Sequence, residues 1–347
     1  EENVIGVEGF WDAYMQHKIP YDVAMKGYWL LSEDSNERKE ETSRIFTAYK
    51  TLDEHEMQHN SPFLDAPNEG FNQELLKELG IMAYTDMGWI KTKTLASIRL
   101  IYKMMIEAKE NSVDEISQDD YNMFLEQGLE DDQAEASSQI LQNKVSFLTG
   151  IGGSGKTYML NKVLQHLHKQ YKEENKLKHG ETAFYMTAIA GRAVKNFLDS
   201  VDKDLDVVGA TMAASIFVKA RKRQLSEAKV LLIDEISMAD INNVSRTIRM
   251  AKKAEKIIFI GDVAQLPAIQ MDFYSKATKD SVIAPIMLTK PKRQKADSGI
   301  LSDSLLIRDG KMPLFDKPDS QLGHAQSVEE IVYQNPDARV FLVGTNR

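Results

Sequence analysis

The stretch "FLTGIGGSGKTYML", residues 147–160, decides the fold of this chain. An apolar run gives way to glycines, and a Lys-Thr pair then opens a helical pattern, with the spacing Gly150-x-x-x-x-Gly155-Lys156-Thr157. The glycines allow successive backbone amides to face an anion, and the helix that follows points its positive end at the same place. The pattern therefore predicts a phosphate-binding loop, built from Gly150, Gly152, Gly153, Ser154, Gly155, Lys156 and Thr157.

Two side chains of this loop have the predicted chemistry of a nucleoside triphosphate site. Lys156 is expected to reach the β- and γ-phosphates of ATP, and the Thr157 hydroxyl is expected to bind Mg²⁺. A glycine-rich turn with a chance Lys-Thr pair is the alternative interpretation. The strand, the loop and the helix occur in the order that a phosphate loop requires, which favours the ATP site.

The composition excludes several classes of protein. A chain of 347 residues is long enough for two or three domains, and its lack of cysteine rules out disulfides and thiolate metal sites. No apolar run is long enough to cross a bilayer, and no signal peptide is visible. Since the chain starts at Glu1 rather than Met and stops at Arg347 in mid-pattern, we expect a piece of a longer cytoplasmic protein from a bacterium or a phage-infected cell.

The net charge of −9 hides an asymmetry between two parts of the chain. Residues 1–140 contain 12 Lys and Arg against 29 Asp and Glu, which gives −17. Residues 141–347 contain 31 Lys and Arg against 23 Asp and Glu, which gives +8. Only the basic part suits a polyanion, and the acidic part is a candidate for binding a protein partner. Ordinary surface charge is the alternative interpretation of these totals.

The first 125 residues are predicted to form a mostly helical domain. Apolar and aromatic residues recur there at helical spacing in three segments, which are Phe10–Leu31, Ile45–Met57 and Leu95–Ile106. All tryptophans of the chain lie in this domain and are interpreted as core residues: Trp11, Trp29 and Trp89.

From Val145 onward, short apolar strands alternate with helical segments. This alternation predicts an α/β fold, with a parallel sheet that helices cover on both faces. Ligands of such sheets bind beyond the carboxyl ends of the strands, and the phosphate loop follows such an end. The predicted strands are Val145–Thr149, Ala183–Thr187, Val230–Asp234, Lys256–Ile260 and Arg339–Val343.

Two of these strands end in residues that would complete the ATP site. "VLLIDEISM" (230–238) contains Asp234, which is expected to support the Mg²⁺ bound by Thr157, and Glu235, which is expected to polarise the attacking water. "IIFIGDVAQLP" (257–267) contains Gln265, whose amide is expected to sense the γ-phosphate. Each pattern alone is also typical of a solvated strand end or loop, but their agreement favours a nucleoside triphosphatase.

Together these motifs resemble superfamily-1 helicases of the RecD and phage Dda type. Three further segments support the resemblance: "LEDDQAEA" (129–136), "LTKPKRQ" (288–294) and "ILSDSLLIRDGKMP" (300–313). The resemblance implies that Gln133 reads the adenine and that Arg293 is an arginine finger. It covers residues 129–347 and implies a RecA-like ATPase lobe at 126–286 and the truncated start of a second RecA-like lobe at 287–347, after an accessory domain at 1–125.

The resemblance also implies contacts to single-stranded DNA, although two motifs depart from the family. "TAIAGRA" (187–193) lacks the usual Pro-Thr and "ATMAAS" (210–215) lacks the usual histidine, which leaves the details of these contacts open. The predicted DNA-contacting residues are Ala188, Gly191, Arg192, Thr211 and Asn346. Phosphate contacts are expected to supply most of the affinity, from basic clusters that are otherwise solvated faces: Lys219-Arg221-Lys222-Arg223, Lys252-Lys253-Lys256 and Lys290-Lys292-Arg293-Lys295.

A rival motif lies in the acidic part of the chain. "HEMQH" (55–59) fits H-E-x-x-H, in which two histidines one helical turn apart bind zinc and the glutamate acts as the base. A third ligand would have to be Glu74 or Glu78, and charged residues precede the motif. A solvated polar helix face is the favoured interpretation, and a zinc peptidase fused to a motor is the minor alternative.

The sequence as a whole predicts an ATP hydrolase that uses Mg²⁺ and acts as a DNA helicase or translocase, moving 5′→3′ on single-stranded DNA. RNA is an alternative track. A P-loop ATPase that acts as a switch for a protein partner is the alternative function. Stimulation of ATP hydrolysis by single-stranded DNA separates the two functions.

Overall fold

The structure is a computed structural model and divides into two units, Glu1–Lys290 and Pro291–Arg347. The residues it describes are 7–15, 19–59, 61–65, 70–110, 115–177, 182–262, 265, 268, 273–288, 290, 299–308 and 311–314. Four predictions lie wholly or partly outside the described residues: the strand Arg339–Val343, the arginine finger Arg293, the DNA contact Asn346, and the third basic cluster, of which only Lys290 is described.

The N-terminal part of the first unit is mostly helical, as predicted. Its elements are α1 Val7–Met15, α2 Tyr21–Leu31, α3 Asn36–Gln58, α4 Gln73–Leu79, β1 Met82–Thr85, β2 Gly88–Lys91 and α5 Thr92–Glu110. The predicted helical segment 10–31 is two helices, because Pro20 lacks a backbone N–H and stands in an extended conformation before α2. The antiparallel hairpin of β1 and β2 was not predicted, because two four-residue strands are too short to show alternation.

Aromatic rings form the core of this part. Trp11 stacks on Phe46 with their ring centroids 3.9 Å apart, and Trp89 is buried against Phe71. The prediction that every tryptophan is a core residue is wrong for Trp29, which is 38% exposed. A helical pattern assigns a tryptophan to a face, but the packing of α2 against α3 decides whether a neighbour covers it.

The rest of the first unit alternates strands and helices. Its elements are α6 Gln118–Glu126, α7 Asp131–Gln142, β3 Val145–Gly150, α8 Lys156–Glu173, β4 Phe184–Ala188, α9 Gly191–Ser200, β5 Val207–Thr211, α10 Met212–Phe217, α11 Lys219–Glu227, β6 Val230–Asp234, α12 Ile241–Met250, β7 Lys256–Gly261, α13 Tyr274–Lys279 and β8 Ile286–Leu288. Two single 3₁₀ turns span Lys203–Leu205 and Ile236–Met238.

Six of these strands form one parallel sheet in the order β5-β4-β6-β7-β3-β8, which confirms the α/β prediction. Successive side chains of a strand point to opposite faces, so in β6 Leu232 lies in one core and Leu231 in the other. The first core includes residues of α7, α8 and α9, and the second includes residues of α5 and α12. Burial on both faces explains why these strands are apolar without alternation.

Four predicted strands are present with bounds that agree within one residue, and two strands of the sheet were missed. β5 is partly exposed along its whole length and contains small residues, which weakens its signal. β8 has three residues and, among the described strands, pairs with β3 alone. Both lie at the edges of the sheet, where one side of a strand has no neighbour and the apolar pattern is weakest.

In the second unit, the helix α14 Gly299–Arg308 is described, and the Asp303 carboxylate accepts a hydrogen bond from the Leu314 amide at 2.8 Å. This helix agrees with the helix and turn expected from "ILSDSLLIRDGKMP". Within the described residues of both units, no helix is long and apolar enough to span a membrane.

Candidate nucleotide-binding site

The phosphate loop connects β3 to α8, as the spacing predicts. Gly153 and Gly155 have positive φ angles of 81° and 83°, which glycine adopts without the steric cost that a side chain brings. Gly155 is the N-cap of α8, so the helix begins at Lys156 and its first amides have no partner within the helix. This combination of a curled loop and a helix start is the geometry that binds a phosphate.

The Lys156 ammonium lies over the loop. Its Nζ donates to the carbonyl oxygens of Gly150 at 2.6 Å and Ile151 at 3.2 Å. Its charge also acts on the Asp234 carboxyl across the site. Because the side chain is a flexible four-carbon stem, phosphate oxygens can replace the two carbonyls without a change in the loop.

Two buried hydroxyl groups follow the carboxyl ends of β3 and β6. Ser154 Oγ and Ser237 Oγ are buried, and neither has a hydrogen-bond partner within the described residues. A buried polar atom without a partner costs about 1–3 kcal/mol and is rare in native proteins. Ser154 belongs to the loop itself, so a phosphate oxygen there would accept its hydrogen bond.

Gln133 is buried beneath the loop. Its Nε2 donates to the Ser154 carbonyl at 3.3 Å, and its Oε1 accepts from the Glu130 amide at 3.4 Å. The second bond closes a capping box at the start of α7, so Gln133 ties this helix to the phosphate loop. Its role in reading adenine stays a prediction.

Asp234 ends β6, Glu235 follows it, and both residues are partly buried. Burial raises the pKa of Asp234 to about 6, and the negative charge of Glu235 adds to this rise. Two effects oppose it. The Glu235 amide donates a hydrogen bond to Asp234 Oδ1 at 2.9 Å, and the positive charge of Lys156 favours the carboxylate. Glu235 is only partly buried and has a φ of 53°, a left-handed conformation that costs a non-glycine residue about 1–2 kcal/mol. Such strain is typical of functional sites.

The strand order brings three predicted motifs, which are the phosphate loop, Asp234-Glu235 and the segment from Gly261 to Gln265, to the carboxyl ends of neighbouring strands. β7 lies between β6 and β3, and neighbouring strands are about 4.8 Å apart, so the backbones of β6, which ends at Asp234, and β3, which leads into the phosphate loop, are about 10 Å apart. Gly261 at the end of β7 approaches the turn after Asp234, since an added Cβ would lie 2.7 Å from Ile236 Cγ2. Gln265 is exposed in the loop that begins there, and its γ-phosphate role stays a prediction.

Three of the predicted DNA contacts lie together at the neighbouring strand ends. Gly191 and Arg192 are exposed at the start of α9, and an added Gly191 Cβ would be 3.5 Å from Thr211 Cγ2. Thr211 caps α10, since its hydroxyl accepts from the Ala214 amide at 3.2 Å. Ala188 is fully buried at the end of β4, so it is a core residue and not the predicted contact.

The basic clusters differ in their surroundings. In α11 the side chains Lys219, Arg221, Lys222 and Arg223 are all exposed, as a phosphate-binding face requires. Lys256 does not belong to its predicted cluster, because Nζ donates to the carbonyls that end α7, at 2.6 Å for Leu141 and 2.8 Å for Asn143. Burial lowers the pKa of Lys256 to about 8.

The zinc interpretation of "HEMQH" finds no support in the geometry. His55 lies in the last turn of α3 and His59 directly follows the helix, and their rings stack with centroids 4.3 Å apart. The described residues contain no group of three His, Cys, Asp or Glu that could hold a metal. Glu56, the would-be base, is buried in an ion pair with Lys91. Of the proposed third ligands, Glu78 is paired with Arg38 at 2.5 Å.

One residue that connects the N-terminal helices to the sheet-containing part of the chain was not predicted from the sequence. Asn242, in the helix that follows Asp234 and Glu235, donates from Nδ2 to Glu56 Oε1 at 3.2 Å and to Thr94 Oγ1 at 3.4 Å. It therefore joins the N-terminal helices to the lobe that carries the phosphate loop. Its partners lie 186 and 148 residues away, so no local pattern reveals them.

Comparison with known proteins adds a family and several relatives. Residues 128–330 match the family model described as AAA domain, AAA_30. The chain is 25% identical over 300 residues to "ATP-dependent DNA helicase PIF1" of Saccharomyces cerevisiae, which covers 77% of this chain and 33% of that protein. It is 29% identical over 151 residues to "RecBCD enzyme subunit RecD" of Buchnera aphidicola, which covers 38% of this chain and 24% of that protein.

The relatives are longer than the chain. The Pif1 helicase of a Psychrobacter species is 28% identical over 48% of this chain and 28% of its own length. Among solved structures, a crystal structure of Pif1 helicase from Candida albicans aligns with a TM-score of 0.39 at 23% identity, over 53% of this chain and 45% of that chain. The chain spans about a third or less of the three curated relatives named here.

Proposed function

The chain belongs to the AAA domain family that matches its residues 128–330, and from that premise we propose that it is an ATP-dependent motor that moves along single-stranded DNA. Two of the named relatives carry the name ATP-dependent DNA helicase, which supports this function over other uses of a phosphate loop. We extend the proposal to the domain organisation, with an accessory domain at 1–125, an ATPase lobe at 126–286 and the start of a second RecA-like lobe at 287–347.

One observation carries the proposal, which is the position of β6 in the sheet. On one side β6 pairs with β7, toward the phosphate loop, and on the other side it pairs with β4, where Asp234 stands opposite Ala188. The exposed Arg192 follows β4. Asp234, a proposed ligand of Mg²⁺, therefore ends a strand next to the strand that leads to the proposed DNA contacts.

In the proposed mechanism the loop amides and Lys156 bind and orient the phosphates. Thr157 and Asp234 would hold Mg²⁺, which neutralises charge on the β- and γ-phosphate oxygens. Glu235 polarises the water that attacks the γ-phosphorus, and the bond to the β-γ bridging oxygen breaks. Gln265 and Arg293 are the proposed sensor and arginine finger.

Hydrolysis would be coupled to movement through the same strands. A change in the hydrogen bonds of Glu235 shifts the turn after β6, and α9 and α10 follow the two strands on its other side. Alternation between a closed, ATP-bound lobe pair and an open one would move the protein along one strand, in the 5′→3′ direction that the helicase resemblance implies.

A second candidate function is an ATPase switch for a protein partner, favoured by the acidic N-terminal part with 29 Asp and Glu against 12 Lys and Arg in residues 1–140. In both functions we propose that this part binds a protein and that the chain acts in the cytoplasm. RNA remains an alternative track, because phosphate contacts do not distinguish the two nucleic acids.

Fluorescence anisotropy with labelled oligonucleotides tests the proposal. In the presence of Mg²⁺ and a non-hydrolysable ATP analogue, we expect the chain to bind a 16-nucleotide oligo(dT) more tightly than a duplex of the same length. A plot of the logarithm of the association constant against the logarithm of the salt concentration should be linear, with a slope of about −0.7 for each phosphate contact. Oligo(U) in the same assay measures the preference between DNA and RNA.

A pair of variants makes the test specific. Arg192→Ala should weaken oligo(dT) binding, whereas Arg99→Ala should not, since Arg99 is an exposed arginine of α5 that belongs to none of the predicted DNA-contacting groups. ATP hydrolysis without any measurable binding of single-stranded DNA or RNA would favour the protein switch and contradict the motor.

A further inference from the structure

A groove runs along α3 on the surface of the acidic N-terminal part. Its first depression has a volume of about 630 Å³, and Phe71, Trp89 and Leu64 line it together with Trp29. Phe71 and Trp89 are 5% exposed and belong to the core, whereas Trp29 is 38% exposed. The depression is thus an opening in the surface over the aromatic core, with one tryptophan as a wall.

The wall of this depression is held in position. Trp29 Nε1 donates to Ser43 Oγ at 2.9 Å, which fixes the orientation of the indole ring on α3. The Arg44 guanidinium lies 5.2 Å from the centre of the Phe71 ring and marks the end of the aromatic stretch. A preformed aromatic surface binds an apolar group at a low cost in conformational entropy.

A second depression of about 530 Å³ continues the groove, and the two share Glu40 and Arg44. Its lining is acidic, with Glu37, Glu40 and Glu74 all exposed. Within the described residues these three carboxylates form no ion pair, whereas the two arginines of this depression are engaged, Arg38 by Glu78 at 2.5 Å and Arg44 by Glu41 at 2.8 Å. The groove therefore passes from an aromatic half to a half with unneutralised negative charge.

The length of the groove indicates the kind of ligand. Its lining runs along α3 from Thr51 to Glu37, a rise of about 21 Å at 1.5 Å per residue. An extended peptide covers that distance with about six or seven residues. A single small cation would fill only a part of it, and the excess of 29 acidic over 12 basic residues in this part of the chain opposes a nucleic acid.

We propose that this groove is the docking site for an extended peptide segment of a partner protein, with an apolar anchor next to basic residues. The anchor, a proline, leucine or aromatic side chain, fits between Trp29, Phe71 and Trp89. Lysine or arginine side chains a few residues away lie against Glu37, Glu40 and Glu74, which gives charge complementarity. The inference rests on the proposed role of the acidic part in binding a protein, and it is independent of the motor function.

Selection from a phage-displayed library of random 12-residue peptides on the 347-residue chain tests the proposal without knowledge of the partner. We expect the enriched peptides to share an apolar or aromatic residue followed by at least two lysines or arginines. Enrichment of acidic peptides, or no enrichment over a surface without the protein, would overturn the proposal. Neither nucleotide nor DNA is present, so a failure of the motor function leaves this result unchanged.

Binding of the enriched peptides, measured by fluorescence anisotropy, assigns the site. Trp29→Ala and Glu40→Lys should each raise the dissociation constant about tenfold or more, because they remove the anchor wall and reverse a charge. Leu30→Ala and Glu126→Lys are matched controls that should change it less than about twofold, since both side chains are exposed and neither lines the groove. Equal affinity for all four variants would overturn the assignment.

Discussion

Replacement of Lys91 by methionine tests the connection between the N-terminal helices and the ATPase lobe. Lys91 has a side-chain exposure of 7% and pairs with Asp53 at 2.5 Å and with Glu56. Glu56 is joined in turn to Thr94 and Asn242. Methionine keeps the length of the side chain and removes its charge, so Lys91→Met leaves two buried carboxylates without a cation.

The expected loss follows from the burial of all three charged groups, with side-chain exposures of 7–10%. Removal of one partner of a buried ion pair costs about 3–5 kcal/mol, because the charge that remains has lost both water and its counter-ion. We therefore expect Lys91→Met to lower the free energy of unfolding by about 3 kcal/mol or more. The double variant Lys91→Met/Glu56→Gln should lose less than the sum of the two single variants, because one uncompensated charge is gone.

Urea unfolding followed by tryptophan fluorescence measures this loss, since Trp11 and Trp89 report on the adjacent core. Lys103→Met is the matched control: Lys103 pairs with Glu107 at 3.6 Å, but both side chains are more than half exposed. An exposed pair contributes about 0–1 kcal/mol, so the control should be nearly neutral. A loss below about 1 kcal/mol for Lys91→Met would refute the account of a desolvated network.

The remaining predictions concern the lobe. Glu235→Gln should lower the ATP hydrolysis rate by about 10²-fold or more while ATP still binds, and turnover at the original rate in a steady-state assay would show that Glu235 is not the base. Because the Asp234 carboxyl has a pKa raised to about 6, it is protonated below that pH and charged above it. The gain in affinity for a fluorescent ATP analogue that Mg²⁺ gives should therefore shrink as the pH falls from 7 to 5. Asp234→Asn should lack that gain at every pH. Lys256→Ala should lower the free energy of unfolding by about 1–3 kcal/mol, because the carbonyls at the end of α7 lose their donor, without weakening oligo(dT) binding. The exposed Lys252→Ala is its control, and the opposite pattern would restore Lys256 to the DNA-binding residues.

The sequence is most informative where structure depends on local chemistry. The phosphate loop needs glycines, a lysine and a helix start within eight residues, so its spacing alone predicts both Gly155 at the N-cap and the start of α8 at Lys156. The central strands are equally clear, because burial on both faces makes them continuously apolar. The order of strands and helices then predicts the parallel sheet.

Features that depend on contacts between distant segments could not be predicted. Lys256 looks like one more residue of a basic run, but its amine reaches carbonyls more than 110 residues earlier in the chain. Asn242 has partners in two helices of the N-terminal part. Trp29 is a large aromatic residue at helical spacing, which is typical of a core, but it lies on the surface because nothing in the described part of the chain covers it completely.

The most direct test of the central claim is the rate of ATP hydrolysis with and without single-stranded DNA. The proposed motor couples the phosphate loop to the strand ends beside β6, so oligo(dT) should raise the steady-state rate, and Lys156→Ala should abolish both the basal and the stimulated activity. The same chain should respond weakly to duplex DNA. A basal rate that depends on Lys156 but does not change with any oligonucleotide would contradict the claim that this ATPase is a motor on single-stranded nucleic acid.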